Sequence, residues 1–344
     1  MFGRMMNNYY YGKSGKGDFR KEDLPETRMQ LFWDTLRTRL SGLCRLNLLY
    51  MLVWLPAMVV IFMFTSGMYS GLSSYISVKE GTYSAYLEQA EQVGAESVIT
   101  EEEFNELKTQ DVDLAGYVNS QLLSMLLFLF PCIAITGPFT AGLSYVTRNW
   151  ARDEHAFIWS DFRDAVKANW KYPLVISLIT GVLPMAIYQG WVTYGSLSDG
   201  NPIMVVPRVL VIMIGVVWAI SVTYMHPLTV TYDLKLGGVL RNSLLLGIAR
   251  LPFSVGIRLL HCVPLLIGFI AVWFFGLDPL LGILLLCGYY MIIGFSLSRF
   301  ITASYTNAVF DRFINPQIEG AKVNQGLREK EDFDDEDDEE EIRK

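Results

Sequence analysis

Apolar residues in this chain gather in runs of about twenty, long enough to cross a hydrocarbon layer of about 30 Å. Six runs can be read, roughly Leu46–Met68, Ser120–Val146, Tyr172–Tyr194, Ile203–Tyr224, Phe253–Phe275 and Leu280–Leu297, the last continuing as helix towards Phe310. In lipid the backbone must satisfy its own hydrogen bonds, and runs of this length do so only as helices. The pattern predicts an all-α polytopic membrane protein with six transmembrane helices.

Shorter segments alternate apolar and charged positions at helical spacing. Before the first run Met29, Phe32, Trp33, Leu36, Leu40 and Leu43 form one face, with Asp34, Arg37 and Arg39 elsewhere. Phe157, Ile158, Phe162, Ala165 and Val166 repeat the device before the third run, and Val239, Leu240, Leu244 and Ile248 before the fifth. Such stripes describe helices lying at a membrane surface. The first, third and fifth runs also carry internal prolines, Pro56, Pro184 and Pro264. Together these features predict three units, each an interfacial helix followed by a helical hairpin, related as an internal repeat. The organisation expected is a flexible N-terminus (1–28), a membrane domain (29–315) interrupted by an acidic outer loop (71–117), and a disordered acidic tail (316–344). Within the loop, Thr100 followed by Glu103 fits a capping box opening a short helix through Lys108.

Charge adds orientation. The chain is 52% hydrophobic and 18% charged, with a net charge of −7. The loop Gly71–Tyr117 holds ten acids against two lysines, and the segment from Glu331 holds ten against two bases, so the remaining body is basic. Of 28 Lys/Arg, all but Lys79, Lys108, Arg208 and Arg258 flank one side of the predicted spans. By the positive-inside rule that side, with both termini, is cytoplasmic. No exposed basic face suited to nucleic acid is evident. Cys44, Cys132, Cys262 and Cys287 lie in or beside apolar runs without Cys-x-x-Cys spacing, which argues against a disulfide framework or a zinc site. The first run begins too far in, and is too long, for a cleaved signal peptide.

Three stretches carry a family resemblance. "GPFTAGLSYVTRNWARDEHAFIWSDFRDAVKANW", "YDLKLGGVLRNSLLLGIARLP" and "NAVFDRFIN" resemble, in order and spacing, the hallmarks of the YesL-like family of bacterial membrane proteins (domain of unknown function 624). The match extends from about Asp34 to Asn315, with the outer loop as an insertion. In the first stretch the motif positions are Arg148, Arg152, the acidic pair Asp153 and Glu154, Phe157, Asp161 and Phe162. The resemblance implies a six-span protein of the bacterial plasma membrane, associated with carbohydrate ABC-type uptake systems and their permease subunits.

Candidate chemistry is sparse. Asp153, Glu154 and His155 are consecutive, so on a helix they point about 100° apart and cannot converge on a metal. Asp153 and Glu154 are expected instead near the positive N-terminal end of the surface helix. Arg258 and His261 share a face of the fifth span, with Arg299 near the inner end of the sixth and Asp233 just below the fourth. Ionisable groups inside a membrane are functional candidates by default. Structural pairing of Asp233 with Arg258 or Arg299 is favoured here over a polar ligand pocket. Arg208 is expected as an outer interfacial anchor, and Trp150, Trp159, Trp170, Tyr172, Trp191 and Tyr194 as interfacial belts. Phosphate loops, nucleophile elbows and paired metal-ligand motifs are absent from the sequence. The expectation is therefore a non-enzymatic accessory or scaffold protein without cofactor or metal, whose partners are the lipid bilayer and other membrane proteins. The alternative is a small-molecule transporter or channel built on Arg258, His261, Asp233 and Arg299.

Overall fold

The computed structural model describes residues 24–94 and 98–328, and all regular structure in them is helical. The stretches "YYYGKSGKGDF" and "EDFDDEDDEEE" lie outside the described residues. Eleven α-helices follow in chain order: α1 (Arg28–Glu80), α2 (Tyr83–Val93), α3 (Glu101–Thr109), α4 (Leu114–Ala151), α5 (Ser160–Ala168), α6 (Lys171–Ser198), α7 (Val205–Thr231), α8 (Leu236–Ala249), α9 (Leu251–Phe275), α10 (Pro279–Tyr289) and α11 (Phe295–Phe313). A π-helical turn, Tyr290–Gly294, joins α10 to α11 without a break. Among the described residues six helical stretches are long and apolar enough to cross a membrane: α1, α4, α6, α7 with its preceding turn, α9, and the stretch Pro279–Gln317. This is an integral membrane protein.

The first unit departs from expectation. Residues 28–45 do not form a separate surface helix; they begin the 53-residue α1. At about 1.5 Å per residue that helix is roughly 80 Å long, far more than a bilayer core needs. It starts at a capping box in which Thr27 Oγ1 accepts from Gln30 N and Gln30 Oε1 accepts from Thr27 N. Continuity follows from what is missing: between Leu43 and Leu46 no Gly or Pro breaks the hydrogen-bond ladder, so the amphipathic face runs straight into the span. In the second and third units the corresponding segments, α5 and α8, are separate helices. Prolines do not single out odd-numbered spans either, since Pro131 and Pro138 lie inside α4 and Pro227 inside α7. The three units are thus not equivalent.

Helix α4 is central, packing against α1, α5, α6, α7 and α11. Small residues allow the close approaches. A side chain at Gly142 would strike the Phe162 carbonyl of α5 at 2.8 Å, and one at Gly137 would overlap the Pro173 carbonyl of α6. Helix α9 lies at the periphery, with Leu259, Leu265, Ile267 and Phe274 turned outward.

Burial is uneven along the bundle. Both core clusters sit at the end where residues 24–28 and 316–328 emerge, hereafter the basic end. One joins Leu43, Leu46, Tyr50, Leu143, Val146, Trp150, Phe162 and Phe300; the other joins Ile176, Tyr224, Leu228, Val239 and Phe310. The opposite end carries a small helical cap. Phe104 is fully buried there against Tyr83 and Tyr86, and α3 opens with the Thr100–Glu103 capping box. The Glu103 carboxylate accepts from the Thr100 backbone N–H and hydroxyl, which holds its pKa below the ordinary value. The two lysines of this end staple the cap: Lys79 Nζ donates to the Lys108 and Gln110 carbonyls, and Lys108 Nζ to the Gly81 carbonyl. Each satisfies carbonyls that a helix C-terminus leaves open.

Candidate functional site

The basic end is laced together by the motif residues and by chain ends far from them in sequence. Helix α4 ends at Ala151, and Asp153 turns the chain through a positive φ of 58°. Arg152 reaches across the turn, its Nη2 donating to Gln325 Oε1 at 2.7 Å and its Nε pairing with Glu154 at 3.4 Å. The C-terminal segment passes so near that a side chain at Gly326 (φ +84°) would strike the Arg152 carbonyl. Arg148 is half-buried and packs beside α11, its carbonyl accepting from Asn307 Nδ2.

Asp153 and Glu154 therefore do not stand at the N-terminal end of the surface helix. They stand in the turn before it, because α5 begins only at Ser160. Asp161 takes that role, its Oδ2 accepting from Phe157 N at 2.8 Å. Phe162 is buried against α4, whereas Phe157 is 65% exposed and does not share its face. Trp159 is exposed beside Phe157.

Of the segment expected as a disordered tail (316–344), residues 316–328 are described and are tied to the bundle by hydrogen bonds at Asn324, Gln325 and Arg328; the rest lies outside the described residues. Asp311, on α11 and 7% exposed, accepts from Arg28 Nη2 at 2.7 Å, from Asn324 N at 3.2 Å and from Asn315 Nδ2. Arg28 Nη2 also donates to Asn324 Oδ1, and Arg328 N donates to the Pro25 carbonyl. Tyr232 Oη donates to Asn315 Oδ1 at 2.6 Å. Burial pushes the Tyr232 pKa up to about 12, with nearby Arg148 opposing the shift. One buried carboxylate thus joins the start of α1, the end of α11 and the strap that follows.

The polar groups expected inside the spans divide differently from the expectation. Asp233 is exposed, lines a surface cleft of about 450 Å³ with Lys171 and Tyr172, and makes no ion pair with Arg258 or Arg299. The pairing favoured from sequence does not form, because α7 ends at Thr231 and the extended turn that follows places Asp233 in the surface cleft. Arg258, His261 and Arg299 do come together. His261 Nε2 meets the Ser298 carbonyl at 3.1 Å, next to Arg299, and Arg258 lies one turn before His261 on α9. His226 of α7 joins them, within electrostatic reach of both arginines, and Tyr50 of α1 lies within reach of Arg299. The His226 ring is 3% exposed, with Nδ1 unpartnered, and Arg258 Nε is also buried without a partner. His226 lies two residues past the predicted end of its span, so hydropathy placed it outside; α7 continues to Thr231 and carries it in.

Arg208 stacks on Trp191, its Cζ 3.8 Å from the ring centroid, at the end opposite the basic end. Just before Arg299, Asn47 of α1 is fully buried against the π-turn. Its Nδ2 donates to the Tyr290 and Met291 carbonyls at 2.8 and 2.7 Å, and its Oδ1 accepts from Ser296 N at 2.9 Å. A π-turn frees backbone groups from the regular ladder, and here one side chain satisfies three of them. Nothing in the sequence around Asn47 signals this, since its partners are more than 240 residues away. Among the described residues no three His, Cys, Asp or Glu side chains gather as metal ligands.

No curated protein and no solved structure matches the chain. Residues 117–191, covering α4 almost entirely, α5 and most of α6, are similar to the family described as "Protein of unknown function, DUF624". That span contains the first of the three motif stretches and every motif position from Arg148 to Phe162; the stretches 232–252 and 307–315 lie beyond it.

Proposed function

We propose that this chain is a YesL-like, non-enzymatic accessory or scaffold protein of the bacterial plasma membrane, with both termini cytoplasmic. Its partner is another membrane protein, of which a carbohydrate ABC-type permease subunit is the class the family resemblance implies. The observation that supports this reading is the concentration of packing at the basic end. There α1, α4 and α11 continue past the apolar stretches and pack with α5 around buried Trp150, Phe162, Phe300 and Phe310. The same end leaves Phe157, Trp159 and Trp33 exposed. Aromatic anchors on a pre-organised surface are what a membrane-protein partner or a headgroup layer engages.

The test is affinity purification of the full chain in mild detergent, with Phe157→Ala/Trp159→Ala alongside. Identified permease subunits recovered with the wild type, and depleted by the double substitution, would support the reading. Recovery of the chain alone, under conditions that keep a known permease complex intact, would overturn it. The rival reading, a small-molecule transporter or channel, rests on Arg258, His261 and Arg299. The absence of Asp233 from that cluster removes the acid a proton- or cation-coupled cycle would use.

A further inference from the structure

We infer that Arg258 and Arg299, with His226 and His261 around them, bind a phosphate group between α7, α9 and α11. Three observations carry this. Arg258 lies one turn before His261 on α9, and His261 Nε2 meets the carbonyl of Ser298, the neighbour of Arg299 on α11, at 3.1 Å, so two arginines flank one contact between helices apolar enough to span a membrane. Among the described residues no carboxylate pairs with either, and the groups facing them are Tyr50, Cys262, His226 and His261. Polar atoms that ought to be satisfied are not, namely Arg258 Nε and the Nδ1 of a histidine that is 3% exposed.

Buried cations without a counter-charge are held only if something supplies it. Water reached by extended side chains would serve one arginine near a helix end. It does not serve here, because Arg258 is two turns inside α9 and its Nε is buried without a partner. An anion between them converts mutual repulsion into shared attraction. Phosphate fits best: guanidinium forks match its oxygens in two parallel hydrogen bonds, and a dianion offsets two charges. A neutral His226 carrying its proton on Nδ1 offers one further donor. Helices α9 and α11 touch sparingly, and Leu259 and Leu260 beside Arg258 face outward. The same chemistry is offered by the headgroup of an anionic phospholipid and by a free phosphate or phosphate ester.

The experiment uses the full chain in a neutral maltoside, with inorganic phosphate titrated against chloride at constant ionic strength. In parallel the chain is placed in nanodiscs of phosphatidylcholine with or without phosphatidylglycerol. Thermal midpoint and saturable binding of labelled phosphate, or of co-purified lipid phosphorus, are read for wild type, Arg258→Gln, Arg299→Gln and Arg258→Lys. Saturable stabilisation by phosphate identifies a soluble ligand, whereas stabilisation and retained lipid only with phosphatidylglycerol identify a headgroup. In either case affinity should fall about tenfold or more in both Gln variants, the loss of one charge-assisted contact, and less in Arg258→Lys. Wild-type protein indifferent to both probes relative to chloride and phosphatidylcholine would overturn the inference. So would folded Gln variants that bind as wild type does. Should the Gln variants not fold, the wild-type titrations together with Arg258→Lys decide on the same criteria.

Discussion

Replacing Asn47 by leucine removes one side chain and leaves three backbone groups without partners: the Tyr290 and Met291 carbonyls and the Ser296 N–H. Asn47 is fully buried, so water cannot take its place. Interhelical hydrogen bonds in membranes average about 0.6 kcal/mol each, which sets the loss for three at about 2 kcal/mol. Buried groups left unpaired in soluble proteins cost ~1–3 kcal/mol apiece, which brings the upper estimate for three to roughly 9 kcal/mol. Relaxation offers little relief, since returning the π-turn to a regular helix would rotate everything beyond it by about 100°. The expectation is a loss of about 2–9 kcal/mol and a thermal midpoint lowered by roughly 5 °C or more. Asn47→Asp sharpens the case. It is nearly isosteric and keeps the acceptor for Ser296 N, but it sets an oxygen against two carbonyl oxygens. It should therefore be at least as damaging as the larger chemical change to leucine. Both variants can be followed by heating the purified full chain in detergent and measuring the monodisperse fraction by size exclusion. Midpoints within about 1 °C of wild type for both would show that these three bonds contribute nothing, and the reasoning would fail.

Three further outcomes are expected. Arg28→Ala removes a partly exposed partner from the buried Asp311, which should cost about 1–3 kcal/mol, below the full value for a buried pair; trypsin should then cut faster at Lys322 and Arg328, and unchanged cutting would argue against the strap depending on Asp311. Tyr232 has its folded pKa raised by burial to about 12, so its contribution is fully present below the ordinary value near 10 and is lost as pH rises from there through 12; ultraviolet difference titration should show late tyrosine ionisation, and Tyr232→Phe should reduce that late amplitude by one group. A cysteine introduced at Glu101 should react with impermeant thiol reagents in intact cells and one at Asp164 should not; the reverse labelling would invert the orientation read from charge.

What was legible in the sequence follows from the range of the forces involved. Transfer into lipid is additive over residues, so the run Phe253–Phe275 lies within the observed α9, Leu251–Phe275, and Tyr172–Tyr194 within α6. The Thr100–Glu103 capping box was equally legible because its partners are three residues apart. The continuity of α1 was not, because an amphipathic stripe looks the same whether the helix lies on a membrane or projects from it and packs. Nor was the position of Asp233: charge complementarity suggested an arginine partner, but the direction in which the chain leaves α7 decides what it meets. Asp311 was legible only as part of the motif "NAVFDRFIN", since the residues it joins are Arg28 and Asn324. The cluster was found in part, through Arg258, His261 and Arg299, because in-span charge is visible locally. His226 was missed through a boundary set at Tyr224, where hydropathy weakens although the helix does not end.

The π-turn connects these pieces. Phe300 is fully buried in the core with Leu43 and Leu46, and on a helix its neighbour Arg299 must point about 100° away. With Phe300 held in the core, Arg299 is directed towards α7 and α9. That rotation is set by the register of α11, and the register is fixed where Asn47 grips Tyr290, Met291 and Ser296 on either side of the turn. One residue fewer between Pro279 and Phe295 would leave α10 where it is and turn Arg299 out of the cluster. The extra residue of the π-turn is thus accommodated by the same side chain that ties α1 to the last span. Its consequence is to place a cation in a membrane-buried interface where no acid waits for it. Proteins tolerate such an arrangement when the charge has work to do.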